Sequence, residues 1–226
     1  VARGVYNDHY CHDAHGRDGL LFTSEGPNGG AVLDVSNPDA PRVISRFTYP
    51  RQAYTHSSWA TDDLEYLLVN DEFDELPGNK HGDGDGHDAT VRTRVIVMRR
   101  VGETFEYEPF SEYLGPNRAS DHNVFIHEGF AYLSNYTFGL TVIDLGDMAA
   151  PTFYGNYDTY PETDAEGFAG AWGTYPFFPS GTVILSDRSS GLYIFDVLDD
   201  ADRDGLPDDE DPQPDVPDSD ADGLPD

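Results

Sequence analysis

A short apolar motif returns along this chain, and that recurrence limits the fold more than any other feature. Gly139-Leu-Thr-Val-Ile-Asp144 comes back as Gly30-Ala-Val-Leu-Asp34, as Gly191-Leu-Tyr-Ile-Phe-Asp196 and, in degenerate form, as Arg92-Thr-Arg-Val-Ile-Val97. Before each copy lies a second run that closes on polar residues: LLFTSE at 20–25, YLLVNDE at 66–72, AYLSN at 131–135 and TVILSD at 182–187. Further upstream stands a marked residue, His12, His56, His122 or Trp172, thirteen or fourteen residues ahead of that polar end. The clearest unit runs from Ala119 to Gly146. Its polar entry (Ser120, Asp121, His122) leads to strands at Asn123–His127, Phe130–Asn135 and Leu140–Asp144, with turns at Glu128-Gly129 and near Gly139. Aromatic and β-branched runs bounded by Gly, Asn and Asp are the signature of short antiparallel strands. With a fourth strand at Thr152–Asp158 the unit is a meander that cannot be stable alone and needs neighbours of its own kind.

The expected fold is therefore all-β: a β-propeller with four blade units visible in residues 1–198, part of a larger propeller. The outer strand of the first unit is expected at Arg42–Tyr49, and Val1–Asp13 is expected to hold its innermost strand or the tail of an earlier blade. In the second unit Glu65–Asn70 and Arg94–Met98 are separated by DEFDELPGNKHGDGDGHDAT, which reads as a functional or disordered loop rather than core. The chain begins at Val1 without an initiator Met, and we read it as a fragment or processed product. No apolar run approaches the length of a membrane span.

Of the formal charge of −30, residues 199–226 supply −12, with thirteen acids against one Arg, and 1–198 keep −18. Nucleic acid and anionic membranes would repel such a chain, whereas divalent cations and basic surfaces are drawn to it. The single Cys11 excludes an internal disulfide. After Val197 the aromatic residues disappear, so 199–226 cannot bury a core. It does carry a ligand pattern. Asp200, Asp202, Asp204, Gly205, Leu206, Asp208 and Asp211 occupy positions 1, 3, 5, 6, 7, 9 and 12 of a calcium loop, and Asp218, Asp220, Asp222, Gly223, Leu224 and Asp226 begin a second. Alternate carboxylates point inward, Gly permits the sharp turn and Leu offers its carbonyl. The alternative is a solvated acidic linker. No amphipathic helices flank the loops, which excludes an EF-hand; both copies resemble the calcium-binding repeats of thrombospondin type 3.

A second constellation is the repeated histidine. Innermost propeller strands line the axis, so His12, His56 and His122, completed by Trp172, are expected to converge there. Glu25, Asp71, Glu72, Asn135 and Asp187 would form a polar layer close by, with Asp121 beside His122. Imidazoles with carboxylates suit Zn, Cu, Fe or Mn. The structural alternative is that these side chains hydrogen-bond between blades and hold the ring closed. HGDGDGHD at 81–88 offers His81, Asp83, Asp85, His87 and Asp88 to a divalent cation with little specificity, and Asn135-Tyr136-Thr137 matches a glycosylation sequon at a strand end. No nucleophile elbow, phosphate loop or Cys pair is present.

Seven ordered motifs, Tyr10-Cys-His-Asp13, Tyr54-Thr-His-Ser-Ser-Trp-Ala-Thr-Asp62, Asn70-Asp-Glu-Phe-Asp-Glu75, Ser120-Asp-His-Asn123, Ser134-Asn-Tyr-Thr-Phe-Gly-Leu140, Tyr157-Asp-Thr-Tyr-Pro161 and the segment Gly170–Gly181, give the chain a further likeness. Over residues 10–197 it resembles the secreted LVIVD-repeat proteins of the choice-of-anchor B type. The resemblance implies a β-propeller on an exported bacterial protein, with further blades on the N-terminal side and an interchangeable anchoring region at the end. It carries no established activity. The expected function is an extracellular or cell-surface scaffold for a protein or surface partner, with a calcium-stiffened stalk, self-assembly being one route to a complete ring. The rival is a metalloenzyme built on the axial histidines. If calcium orders 199–226, Asp204→Ala and Asp222→Ala raise the protease sensitivity of that segment in calcium, and unchanged digestion patterns refute the calcium loops.

Overall fold

The computed structural model describes residues 1–76 and 92–196. Fifteen strands form four antiparallel sheets in chain order, and the described residues contain no helix. Sheet 1 holds β1 (Asp13–Arg17), β2 (Leu20–Ser24), β3 (Gly30–Asp34) and β4 (Arg42–Phe47). Sheet 2 holds β5 (Thr55–Ala60), β6 (Tyr66–Asp71), β7 (Arg94–Arg100) and β8 (Tyr107–Leu114). Sheet 3 holds β9 (Asn123–His127), β10 (Phe130–Ser134), β11 (Leu140–Asp144) and β12 (Thr152–Tyr157). Sheet 4 has three described strands, β13 (Ala171–Tyr175), β14 (Thr182–Asp187) and β15 (Gly191–Asp196). The first strands pack on one another in the order β1, β5, β9, β13, and the sheets fan outward from them, as propeller blades do.

Local chemistry accounts for the hairpins. Asp18-Gly19 and Glu128-Gly129 both have positive φ at each residue, 50° and 78°, and 49° and 83°. That is the type I′ turn whose twist matches the strands it joins. At the head of the recurring motif, Gly139 has a φ of 82°, and a Cβ there would lie 2.1 Å from the Tyr157 carbonyl oxygen. Gly29 is its equivalent in sheet 1, with a φ of 79° and the Phe47 carbonyl 2.2 Å away. The motif glycine is thus demanded by both backbone conformation and the closeness of the fourth strand. In sheet 2 the same register position, opposite Asp71, belongs to Arg94, so the degenerate copy starts at Arg94 and not, as its alignment at 92–97 implied, at Arg92.

Packing follows the sheet order. Phe22, Val32, Leu67, Val69, Ile96 and Met98 make a core between sheets 1 and 2. Leu68, Val95, Val97, Val124, Leu133 and Ile143 make one between sheets 2 and 3, and Tyr132, Leu140, Val142, Val183 and Leu185 one between sheets 3 and 4. Four sheets closed into a ring would share four such interfaces, and the described residues form three. On β15, Leu192 and Ile194 are 62% and 69% exposed, while Tyr193 and Phe195 turn inward onto the third core. The sheets therefore form an unclosed arc, consistent with part of a propeller.

Three expectations need correction. The innermost strand of the first unit is Asp13–Arg17, following His12 rather than lying within Val1–Asp13. The near-constant offset from each marked residue compared positions that are not equivalent. Strand register aligns Glu25 with Asp71, Asn135 and Asp187, because β5 and β13 each carry a bulge and open into longer hairpins than β1 and β9. Finally, the start of the supposed loop is core: Asp71, Glu72, Asp74 and Glu75 are all buried. The rest of that segment, with HGDGDGHD, and the calcium-loop residues Asp200 to Asp226 lie outside the described residues.

A Gly139→Ala exchange would force a side chain into a left-handed backbone and onto the Tyr157 carbonyl. We expect it to destabilise the fold by about 2 kcal/mol or more, read as a lower urea midpoint at unchanged slope. Gly191→Ala, where a Cβ meets nothing within 4 Å, carries only the conformational part of that cost.

Candidate functional site

The marked residues do meet, as a row rather than a ring. The imidazole of His12 lies 4.3 Å from that of His56, His56 lies 4.1 Å from His122, and His122 lies 4.4 Å from the Trp172 indole. The inner bulges set this up. Register in sheet 2 passes from Thr55 opposite Asp71 to Ser57 opposite Asn70, and in sheet 4 from Ala171 opposite Asp187 to Gly173 opposite Ser186. His56 and Trp172 are the extra residues, and a bulge re-aims the side chain it carries. Tyr54 and Tyr10 close one end of the row, each with its hydroxyl 3.1 Å from His12 Nδ1.

Burial keeps these imidazoles neutral. It lowers the pKa of His12, takes that of His122 down to about 4, and takes that of His56 down to about 2 with help from the neighbouring imidazoles. Neutral rings pack against one another, edge-on or tilted, without repulsion and keep nitrogen lone pairs for ligands. His122 Nδ1 is hydrogen-bonded to the Trp172 carbonyl oxygen. Glu72 faces this row: its Oε2 is 3.9 Å from His56 Nε2, and its Oε1 accepts a 2.6 Å hydrogen bond from the buried Tyr136 hydroxyl. His12, His56 and Glu72 bring one ligand atom each to within 4.8 Å of one another.

The other carboxylates named from the sequence are committed elsewhere. Glu25 is held by Thr23, by Tyr6 at 2.5 Å, by His9 at 2.7 Å and by Arg46 at 3.1 Å, which fastens residues 6–9 to sheet 1. Asp71 accepts from the backbone N–H groups of Ala53 and Tyr54 at 2.7 and 2.8 Å and from the Tyr49 hydroxyl, fixing the link between sheets 1 and 2. Asp187 binds the Thr159 hydroxyl and the N–H groups of Ser189 and Ser190, the corresponding link between sheets 3 and 4. Asp121 accepts from the Arg94 N–H at 2.6 Å, joining sheets 2 and 3. The sequon is structural, since Asn135, Tyr136 and Thr137 are all buried.

Sequence reasoning missed the centre around Arg94. This fully buried guanidinium is paired with Asp74 and also donates to the carbonyls of Pro50 and Arg51. Asp74, Glu75 and Asp121 place ligand atoms within 4.8 Å of one another. Burial raises the pKa of all three, and repulsion from Asp74 adds to it at Glu75 and Asp121, which are held well above the usual carboxylate range; burial with the Asp74 charge takes Asp71 up to about 7. One cation cannot balance four carboxylates, so protons remain in the cluster. The signal in the sequence was hidden by the alignment, which set Arg92 at the glycine position that strand register gives to Arg94.

These groups give folding stability opposite pH dependences. A buried neutral His binds no proton where the unfolded chain does, so its contribution falls as pH drops from 6.5 towards about 4 for His122; Asp71 acts in the reverse sense as pH rises from 3.8 to about 7. Subtraction isolates one group. The stability difference between wild type and His122→Phe should change by up to about 1.4 kcal/mol per pH unit across the His122 window in urea denaturation, and parallel curves refute its neutral burial.

Comparison with known proteins agrees with this architecture. The LVIVD repeat model matches residues 120–159, which is sheet 3 with its polar entry. No curated protein matches. Among solved structures, a protein from Lactobacillus plantarum is 16% identical with a TM-score of 0.56, over 78% of this chain and 50% of its own. The periplasmic gluconolactonase of Pseudomonas aeruginosa is 18% identical with a TM-score of 0.55, over 78% of this chain and 49% of its own. The WD40 β-propeller domain of Doa1 is 10% identical with a TM-score of 0.50, over 84% of this chain and 56% of its own. The chain spans about half the length of the solved structures it matches. At these identities the likeness shows the fold alone.

Proposed function

We propose that this chain is a non-enzymatic binding scaffold: an arc of β-propeller blades, exported to the cell exterior or surface, that is completed by further blades and presents its loops to a protein or surface partner. The observation that carries this reading is the face of sheet 4 that the described residues leave uncovered. Leu192 and Ile194 are widely exposed on a strand whose other face is packed, and the described sheets share one apolar core fewer than a ring requires. A further sheet of the same kind, from a longer chain or a second copy, is the occupant such a face fits.

The polar side chains at the strand ends support a scaffold role, because Glu25, Asp71, Asp121 and Asp187 fasten one blade or segment to the next. The acidic segment 199–226 serves in this reading as a calcium-dependent spacer with ligands of the thrombospondin type 3 pattern, leading to an anchor of the choice-of-anchor B kind. A charge of −30 with a single Cys suits an exported protein that meets calcium. The lactonase named among the solved structures does not extend its activity to this chain at such identity.

Size in solution tests the completion step. Wild type should associate in a concentration-dependent way in sedimentation, and the double exchange Leu192→Glu with Ile194→Glu should be monomeric with an unchanged unfolding midpoint. A wild type that stays monomeric at every concentration, with the same midpoint as the double variant, would remove the reason for assigning a blade partner.

A further inference from the structure

We infer that His12, His56 and Glu72 form a binding site for one divalent transition-metal ion of the zinc class, at one end of the axial row. This goes beyond the scaffold reading and holds whether or not the arc is closed. It also differs from the three-histidine ring expected from the sequence, because His122 is turned towards Trp172 and a carboxylate takes the third place.

Three observations converge. The donor set is two imidazoles and one carboxylate from two adjacent sheets, a combination that zinc and its borderline neighbours favour over calcium or magnesium. The spacing is close to what one ion needs. Two ligands on a tetrahedral zinc stand about 3.4 Å apart, and His56 Nε2 is already 3.9 Å from Glu72 Oε2, so small side-chain rotations suffice. The supporting contacts are in place as well. Tyr136 holds the far oxygen of Glu72, and Tyr10 and Tyr54 engage Nδ1 of His12, which leaves Nε2 for the ion. Metal-binding side chains are oriented in this way by hydrogen bonds to their remaining polar atoms.

His12 is only partly buried and Tyr10 is exposed, so the ion would keep a position open to water or to a group on a partner. The buried cluster of Asp74, Glu75 and Asp121 is a different chemistry, all oxygen and sealed, and does not compete for the same ion.

The test uses the full chain, stripped with a chelator and titrated with Co²⁺ in excess Ca²⁺, added to occupy the calcium loops proposed at 199–226. We expect one Co²⁺ per chain, with the strong visible bands of a four- or five-coordinate ion, displaced by Zn²⁺. His56→Gln and Glu72→Gln should abolish those bands while the unfolding midpoint shows each variant folded. Tyr136→Phe, which removes only the hydroxyl that orients Glu72, should weaken binding about 10- to 100-fold. The double exchange His81→Ala with His87→Ala should leave the spectrum unchanged. Equal binding by wild type, His56→Gln and Glu72→Gln would overturn the assignment, as would a folded wild type that takes up no stoichiometric cobalt.

Discussion

Arg94 holds the arc together at its middle. Its guanidinium meets Asp74 and the carbonyls of Pro50 and Arg51, while its backbone N–H is taken by Asp121, so one residue of sheet 2 touches the link from sheet 1 and the entry to sheet 3. A buried charge without partners would cost several kcal/mol, and removing one member of a buried pair typically costs about 3–5 kcal/mol. The carboxyl groups around it exceed the charge it offers, and the balance is met by protons. The centre is therefore an electrostatic knot between two apolar cores. Its strength depends on exclusion of water, which the cores between sheets 1 and 2 and between sheets 2 and 3 provide.

The axial row rests on a different principle. Neutral imidazoles contact each other, Tyr54 and Trp172 at distances suited to ring packing, and they remain neutral because burial opposes their protonation. The same burial makes their nitrogens available to a ligand. A ring-packing surface and a ligand surface thus coincide, and Glu72, held by Tyr136 across the boundary between sheets 2 and 3, is the anionic group that faces them. Blade-to-blade hydrogen bonds accepted by Asp71, Asp121 and Asp187 keep that surface in register without taking part in it.

Much of the fold was legible in the sequence because its periodicities are local. Strands Asn123–His127 and Leu140–Asp144 appear where alternation and turn residues place them, and the four marked residues are neighbours in space. What could not be read was register. A bulge adds a residue without changing composition, so His56 and Trp172 shifted the alignment of Asp71 and Asp187 against Glu25 and Asn135. Composition misled at 71–75, where acids beside a Gly- and Asp-rich stretch looked like solvated loop and are buried around Arg94. Spacing alone also gave no sign that His122 would turn to a carbonyl while Glu72 turned to the histidines, since that choice is made by Trp172 and Tyr136 from other sheets.

The inner bulges have one more consequence. Sheets 1 and 3 share tight two-residue hairpins and unbulged first strands, whereas sheets 2 and 4 share longer hairpins and a bulge at the marked residue. The architectural period is then two sheets rather than one, with the single sheet only a half-period. A circular permutation or blade-deletion series that moves in steps of two would preserve the alternation between bulged and flat inner strands. A step of one would set like against like at the axis and break the row of rings.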